Sequence, residues 1–153
     1  DILRWLHVIG ATVLIGTGAG IAFFMLRAHL TRDPVLIAHV AGTVVVADMV
    51  FTASAVIIQP LTGVLLAHLI GWPLTKPWIV ISLVLYGIIG LFWLPVVFIQ
   101  VRLRDLARAA AVRGEPLPPD YDRLFRIWFL CGFPAFAAVM GILWLMLARP
   151  HLG

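Results

Sequence analysis

Charged side chains are scarce in this chain, and four long stretches contain none at all. Asp, Glu, Lys and Arg make up 12% of the 153 residues, whereas hydrophobic residues make up 63%. The uncharged stretches are residues 8–26, 49–70, 78–99 and 127–148. Each is close to the ~20 apolar residues that a helix needs to cross a hydrocarbon core. A soluble domain of this length could not bury four such helices, so the sequence predicts an integral membrane protein.

Cysteine is almost absent as well, and this excludes several kinds of site. The single cysteine, Cys131, lies in the fourth uncharged stretch. An internal disulfide, a cysteine-based metal cluster and the Cys-x-x-Cys-His attachment of c-type haem are therefore excluded. The sequence also contains no His-x-x-x-His pair within a stretch, no P-loop, no Gly-x-Ser-x-Gly elbow and no dinucleotide-binding fingerprint.

The chain is organised as one membrane domain. We predict a single integral membrane domain over residues 1–153, folded as an all-α transmembrane four-helix bundle. The predicted spans are approximately residues 5–28, 47–70, 77–100 and 126–148. An apolar stretch, residues 35–47, leads into the second span. The third helix is expected to continue as an amphipathic cytoplasmic extension over residues 100–113. The first stretch lacks an Ala-x-Ala cleavage site, so a retained helix is expected rather than a signal peptide.

The basic residues predict the orientation. The first and third loops carry eight arginines: Arg27, Arg32, Arg102, Arg104, Arg108, Arg113, Arg123 and Arg126. The opposite side carries Arg4, Lys76 and Arg149. The positive-inside rule then places both termini outside, in a multi-pass protein of a bacterial cytoplasmic (inner) membrane. A reporter fused after Gly153 is expected to be active on the periplasmic side. Because these cations flank the spans, a nucleic-acid partner is excluded despite the pI near 10.2.

Polar residues fall on one face of two predicted helices. On the second helix the stripe comprises Asp48, Thr52, Ala55, Gln59 and Thr62. On the third it comprises Trp78, Ser82, Tyr86, Trp93 and Gln100. Such faces should point into the bundle, either to form interhelical hydrogen bonds or to line a cavity. Pro60 frees a carbonyl one turn earlier, which Thr or Gln side chains can help to satisfy. Arg27 and Asp48 are expected at equal depth as an ion pair.

His7 lies on a helix face of small residues. Ala11, Gly18, Ala22 and Met25 share that face. A histidine above such a trough suits the approach of a flat macrocycle, which bulky side chains would exclude. The alternative is that His7 marks the polar boundary and that the glycines serve helix packing.

A haem b bound between the helices would need axial ligands at matching depth. His7 is the primary candidate for the iron, and its free ring nitrogen is expected to find a backbone carbonyl or a carboxylate. His68 matches His7 in depth but should face away from the bundle, and Lys76 is the other outer electron-pair donor. Arg4 and Lys76 are the outer cations available for the propionates. Gly18 would provide the space beside the ring.

Five motifs resemble one family. They are residues 2–10 (ILRWLHVIG), 16–18 (GTG) with 22–25 (AFFM), 59–63 (QPLTG), 73–78 (PLTKPW) and 93–97 (WLPVV). Together they resemble a family of bacterial integral membrane proteins known as domain of unknown function 2269. The resemblance extends over nearly the whole chain and implies a membrane location without an activity.

A more distant resemblance is to HemJ-type protoporphyrinogen oxidases, which are helical membrane proteins that bind haem b. It is carried by Leu6-His7, by Arg27-Ala28-His29, and by Gly71-Trp72 with Lys76. The histidine and lysine implicated in that family map onto His7 and Lys76. The aromatic, proline-containing end of that family's first helix is replaced here by residues 23–26 (FFML).

These observations lead to several functional hypotheses. The first is a membrane b-type haem protein that transfers electrons within the bilayer, to or from a quinone or a partner membrane oxidoreductase. The alternatives are HemJ-like protoporphyrinogen oxidation and a non-catalytic accessory subunit of an oligomer or a larger membrane complex. Copper handling of the CopD kind is the least supported, because the spans contain no Cys–His or Met–His cluster.

Overall fold

The computed structural model describes residues 1–150, and this part of the chain is helical with no strand. The helices are α1 (Ile2–Thr31), α2 (Pro34–Ala47), α3 (Ala53–Ile70), α4 (Pro77–Arg113) and α5 (Pro119–Ala148). His151 and the predicted reporter site at Gly153 lie outside the described residues. We call the end with the turns at 32–33 and 114–118 the inner end and the end with residues 71–76 the outer end, after the predicted orientation.

Four helical segments are long and apolar enough to cross a membrane. They are Ile2–Thr31, Pro34–Ile70, Pro77–Arg113 and Pro119–Ala148. This confirms the predicted all-α fold with four candidate spans. Residues 100–113 continue α4 as helix, while their placement in the cytoplasm and the position of the termini stay predictions.

The second membrane helix is longer than its uncharged stretch. It begins at Pro34, where the Asp33 carboxylate caps the N-terminus by accepting from the Val35 N–H at 2.9 Å. A π-helical turn, Asp48–Thr52, joins α2 to α3 without interrupting the helix. Residues 35–47 therefore belong to the same rod as the second span.

The long helices end at residues whose backbone has a left-handed conformation. Glycine supplies this conformation at Gly71 and Gly114, whereas Arg32 and Arg149 adopt it with φ values of 58° and 41°. A non-glycine residue in this region is strained, and Arg32 is held by a two-pronged contact with Asp122 at 2.5 and 3.0 Å. This pair ties the turn after α1 to the start of α5.

The inner end is densely packed. Met25, Ile37, Leu103, Ala107 and Tyr121 are all fully buried there. The whole inner cluster is Ile21, Met25, Ala28, Ile37, Ala38, Ala41, Val44, Leu103, Ala107, Tyr121, Phe125 and Trp128. It draws on α1, α2, α4 and α5, so all four rods meet at this level.

The apolar cluster of the outer half includes three of the four membrane helices. A small cluster of Ala67, Trp78, Ile79 and Leu145 joins the outer ends of α3, α4 and α5. No α1 residue of the described chain takes part in this cluster, and α1 packs instead against α3. The side-chain stacking between α1 and α5 lies at the inner end, where the His29 and Phe125 rings are 3.7 Å apart.

The expected ion pair between Arg27 and Asp48 is wrong. Arg27 is exposed and Asp48 is buried, and no ion pair within residues 1–150 joins them. The chain turns at Arg32, so Arg27 lies about one turn from the inner end of its helix, whereas Asp48 follows the 14 residues of α2. The two side chains therefore differ in depth by roughly two to three helical turns.

Candidate functional site

The His7 imidazole is hydrogen-bonded to Thr62. The His7 Nδ1 lies 2.8 Å from the Thr62 hydroxyl oxygen. That hydroxyl also lies 2.9 Å from the Ile58 carbonyl and 3.1 Å from the Gln59 carbonyl, which can only accept. A threonine hydroxyl has one proton to donate, and when it gives this proton to one of the carbonyls it accepts from a protonated Nδ1 of His7. In that tautomer Nε2 is the nitrogen with the free lone pair.

The backbone around His7 is held by Gln59. The Gln59 side-chain nitrogen donates to the His7 carbonyl oxygen at 3.0 Å, and its Oε1 lies directly against Gly10. This carbonyl sits in the first helix and the amide in α3, so the contact fixes the register of α1 against α3.

Glycine allows the imidazole to approach α3. A Cβ atom added to Gly63 would lie 3.2 Å from the His7 Cε1 atom. Residues 2–10 and 59–63, two of the family motifs, therefore meet in a single site made of His7, Gly10, Gln59, Thr62 and Gly63. We call this set the His7 site.

The expected partner of the imidazole was a backbone carbonyl or a carboxylate, and the structure places a hydroxyl there. Gly10 and Gly63 were missed altogether as site residues. The sequence did contain the relevant signal, because an antiparallel pairing about the turn at residues 32–33 brings position 7 beside position 59. From the sequence, Gln59 and Thr62 were predicted only to belong to the polar stripe of the second helix.

Lys76 and His68 do not join the His7 site. The Lys76 ammonium lies over the Trp72 ring at 5.4 Å from its centroid, and the Arg149 guanidinium lies over the same ring at 4.8 Å. Both are cation–π contacts. His68 is exposed, as its position on the helix predicted, and Arg4 is exposed near the start of α1. Of the proposed ligands, His7 is the one that the structure embeds between helices.

The space beside Gly18 is open. Apart from the neighbouring residues and the backbone of α1 itself, no atom lies within 4 Å of the position that a Gly18 Cβ would take. Farther along the same face Ala22 packs on the inner cluster and Met25 is fully buried. The small-residue face of α1 is thus open between the His7 site and the inner cluster.

The polar stripe of the second helix faces inward as predicted. Asp48, Thr52 and Thr62 are all buried. Trp93 donates its indole N–H to the Asp48 Oδ1 at 3.3 Å. The stripe is therefore partly used for interhelical hydrogen bonds.

The carbonyl freed by Pro60 is satisfied from another helix. Pro60 cannot donate to the carbonyl four residues earlier, that of Val56. The Tyr86 hydroxyl of α4 donates to this Val56 carbonyl. The Thr or Gln side chain expected in this role is replaced by a tyrosine.

The inner end carries a charged contact. The Arg32 guanidinium holds the pKa of the Asp122 carboxyl below its usual value through their hydrogen bonds. Asp122 precedes the predicted fourth span, and both side chains are about half exposed. Two open recesses lie near this end. One of about 590 Å³ is lined by His39, Thr43 and Arg108, and one of about 320 Å³ by Arg102, Asp120 and Arg123, among others. Neither includes a residue of the His7 site.

The side chains near one another determine which metal ion or metal-containing cofactor the protein could hold. Within residues 1–150 no group of three or more His, Cys, Asp or Glu side chains is arranged to hold a metal ion. A haem iron needs only one or two protein ligands, because the porphyrin supplies four. His7 is the residue that would hold such an iron, through Nε2, with its Nδ1 bonded to Thr62.

Comparison with known proteins gives one match. No curated protein and no solved structure matches the chain. The model of a family described as "Predicted integral membrane protein (DUF2269)" matches residues 1–150. Since this match covers almost the whole sequence, the chain belongs to the DUF2269 family of predicted integral membrane proteins.

Proposed function

We propose that the protein is a membrane b-type haem protein that transfers electrons within the bilayer. The observation that carries this proposal is the hydrogen bond between the His7 Nδ1 and the Thr62 hydroxyl, from which we infer the tautomer of His7. Thr62 accepts from Nδ1, which leaves the Nε2 lone pair to bind iron. Such an outer hydrogen bond orients a histidine ligand and raises its basicity.

The surroundings of His7 support a flat ligand. The imidazole is pressed against Gly63, so its orientation is determined by packing as well as by the hydrogen bond. The open space at Gly18, on the same helix face as His7, offers surface on which a macrocycle could lie without displacing a side chain. Haem, when bound, supplies a one-electron couple, and the protein supplies position, hydrogen bonding and an apolar surrounding.

The other candidate ligands are not placed beside His7. Lys76 lies over the Trp72 ring, and His68 is exposed. We therefore propose His7 as the sole strong protein ligand. Arg4 and Lys76 remain the outer cations that would pair with the propionates.

Electrons would be exchanged with a quinone or with a partner oxidoreductase. We place the protein in the bacterial inner membrane on the basis of the arginine distribution. HemJ-like protoporphyrinogen oxidation is the enzymatic form of the same proposal, and it depends on His7 and Lys76 acting together.

The test is the visible spectrum of the detergent-purified protein before and after dithionite. A Soret band that shifts on reduction is expected. His7→Ala should abolish or strongly alter it, whereas His29→Ala and His39→Ala should leave it unchanged. An unaltered band in His7→Ala would overturn the assignment.

A second candidate is a non-catalytic accessory subunit. It is favoured by the exposed aromatic side chains Phe133 and Phe136 of α5 and by an outer apolar cluster that, within residues 1–150, includes no residue of α1. A colourless protein from haem-replete cells that co-purifies with a larger membrane complex would support this function against the first.

A further inference from the structure

Asp48 is a carboxyl group buried inside the apolar part of the second membrane helix. It is 2% exposed and opens the π-helical turn between α2 and α3. It lies about 21 Å along the helix from Pro34, since α2 has 14 residues. Single π-helical turns within α-helices are frequent at functional sites.

The carboxyl has too few partners to be charged. Its Oδ1 accepts one long hydrogen bond from Trp93, and its Oδ2 is buried without a partner. Thr52 lies beside the carboxyl, but its Oγ1 does not complete a hydrogen bond with it. A buried carboxylate supported this weakly would be very unfavourable, so the group holds a proton.

No cation near Asp48 offsets this cost. The ion pairs of residues 1–150 lie elsewhere, and none includes Asp48. The elements around the turn carry no charged side chain over residues 8–26 of α1, 78–99 of α4 and 127–148 of α5. Within these stretches the titratable groups are Cys131 and Tyr86, whose hydroxyl is bound to a carbonyl, and His7 lies just before the first stretch at the outer end.

Unpartnered polar atoms continue from Asp48 along one line. The Asp48 Oδ2, Thr52 Oγ1 and Gln59 Oε1 atoms are all buried without a hydrogen-bond partner. They belong to the stripe that ends at Thr62 and His7, and the Gln59 amide nitrogen already bonds the His7 backbone. Buried unpaired acceptors are rare, and three on one helix face call for a functional explanation.

We propose that Asp48 is a proton-binding site within the membrane that exchanges its proton with the His7 end of the bundle along this stripe. The carboxyl O–H bond breaks as a new O–H bond forms to a water molecule that has entered the stripe beside Thr52, and the hydronium ion so formed passes a proton on toward Gln59. The reverse transfer returns a proton to the carboxylate. The bound species is a proton and no electron is transferred. The proposal does not depend on haem.

The first experiment is modification with dicyclohexylcarbodiimide, an apolar reagent that adds to protonated carboxyls. In the purified protein the adduct is expected at Asp48, as found by mass spectrometry of its peptide. Asp33 and Glu115 are exposed carboxyls that serve as controls and should remain free. Labelling should fall as the pH is raised and should be lost in Asp48→Asn. Labelling of the exposed carboxyls without Asp48 would overturn the proposal.

The second experiment measures exchange directly. A protonated carboxylic acid gives an infrared C=O band that shifts in D₂O, and Asp48→Asn should remove it. Gln59→Leu should slow the shift, while Thr12→Val, a matched change at an exposed threonine outside the stripe, should not. An equally fast shift in Gln59→Leu would show that the proton leaves by another route and would refute the proposed path.

Discussion

The inner end and the outer half of the bundle are held together by different forces. At the inner end all four rods contribute fully buried apolar side chains, and arginines flank this layer on α1, α4 and α5. In the outer half a smaller apolar cluster is supplemented by hydrogen bonds between α1 and α3 and between α3 and α4: Thr62 with His7, Gln59 with His7, and Tyr86 with Val56.

This difference follows from the surroundings of each region. Near the charged layer, water is close and burial of apolar surface drives packing. Within lipid an apolar side chain gains nothing by leaving the acyl chains, so small residues and polar bonds hold the helices together. The dense end can therefore maintain the fold while the outer half keeps open space beside a polar site.

The largest expected effect is at the inner end. Leu103→Ala removes a fully buried side chain and should lower the free energy of unfolding by about 2–5 kcal/mol. Leu91→Ala, at a side chain that is 70% exposed, is the matched control and should change it by less than about 0.5 kcal/mol. Thermal unfolding in detergent measures both. Equal losses would mean that the inner cluster does not dominate stability.

The next largest effect compares two glycines, one packed against the His7 ring and one beside open space. Gly63→Ala forces a Cβ against the His7 ring and should cost about 1–3 kcal/mol. Gly87→Ala meets no atom within 4 Å and should be neutral or stabilising by up to about 1 kcal/mol through helix propensity. The same unfolding measurement applies, and opposite signs for the two variants are the expected result.

A smaller effect tests the hydrogen bonds alone. Thr62→Val preserves shape but leaves the His7 Nδ1 without its acceptor, which should cost about 1–2 kcal/mol. Thr62→Ser retains a hydroxyl and should recover most of this loss. If the serine variant were as unstable as the valine variant, packing rather than the hydroxyl would hold His7.

The smallest effect concerns pH. Because the folded-state pKa of Asp122 is lowered by Arg32, this pair stabilises the fold above the unfolded value near 3.8 and is lost as the pH falls through the lower folded value. The pair is about half exposed, so at most about 1 kcal/mol is involved. Comparing unfolding of the wild type and Asp122→Asn at pH 7 and below pH 3.8 should show a difference that shrinks on acidification.

Hydropathy was sufficient to predict four helices, and the 100° periodicity was sufficient to place Asp48, Thr52 and Thr62 inside. Depth was harder to predict. The depth of Asp48 was predicted from the boundary of the uncharged stretch that begins at residue 49. It depends instead on where the chain turns between the first two membrane helices, and that turn lies at Arg32. The cation–π contacts of Lys76 could not be inferred either, because they depend on how the outer loop folds over Trp72.

Pro60 is a point at which the second membrane helix can bend. The helix can bend there without breaking its own ladder of hydrogen bonds, because the Val56 carbonyl is bonded by Tyr86 of another helix. The ten residues beyond Pro60 span about 15 Å, so a 10° bend would displace their tip by roughly 3 Å. Thr62 and Gly63 follow Pro60 by only two and three residues, so a bend at Pro60 would displace them little. A change in the Tyr86 bond would tilt the outer end of α3 widely while moving His7 only slightly.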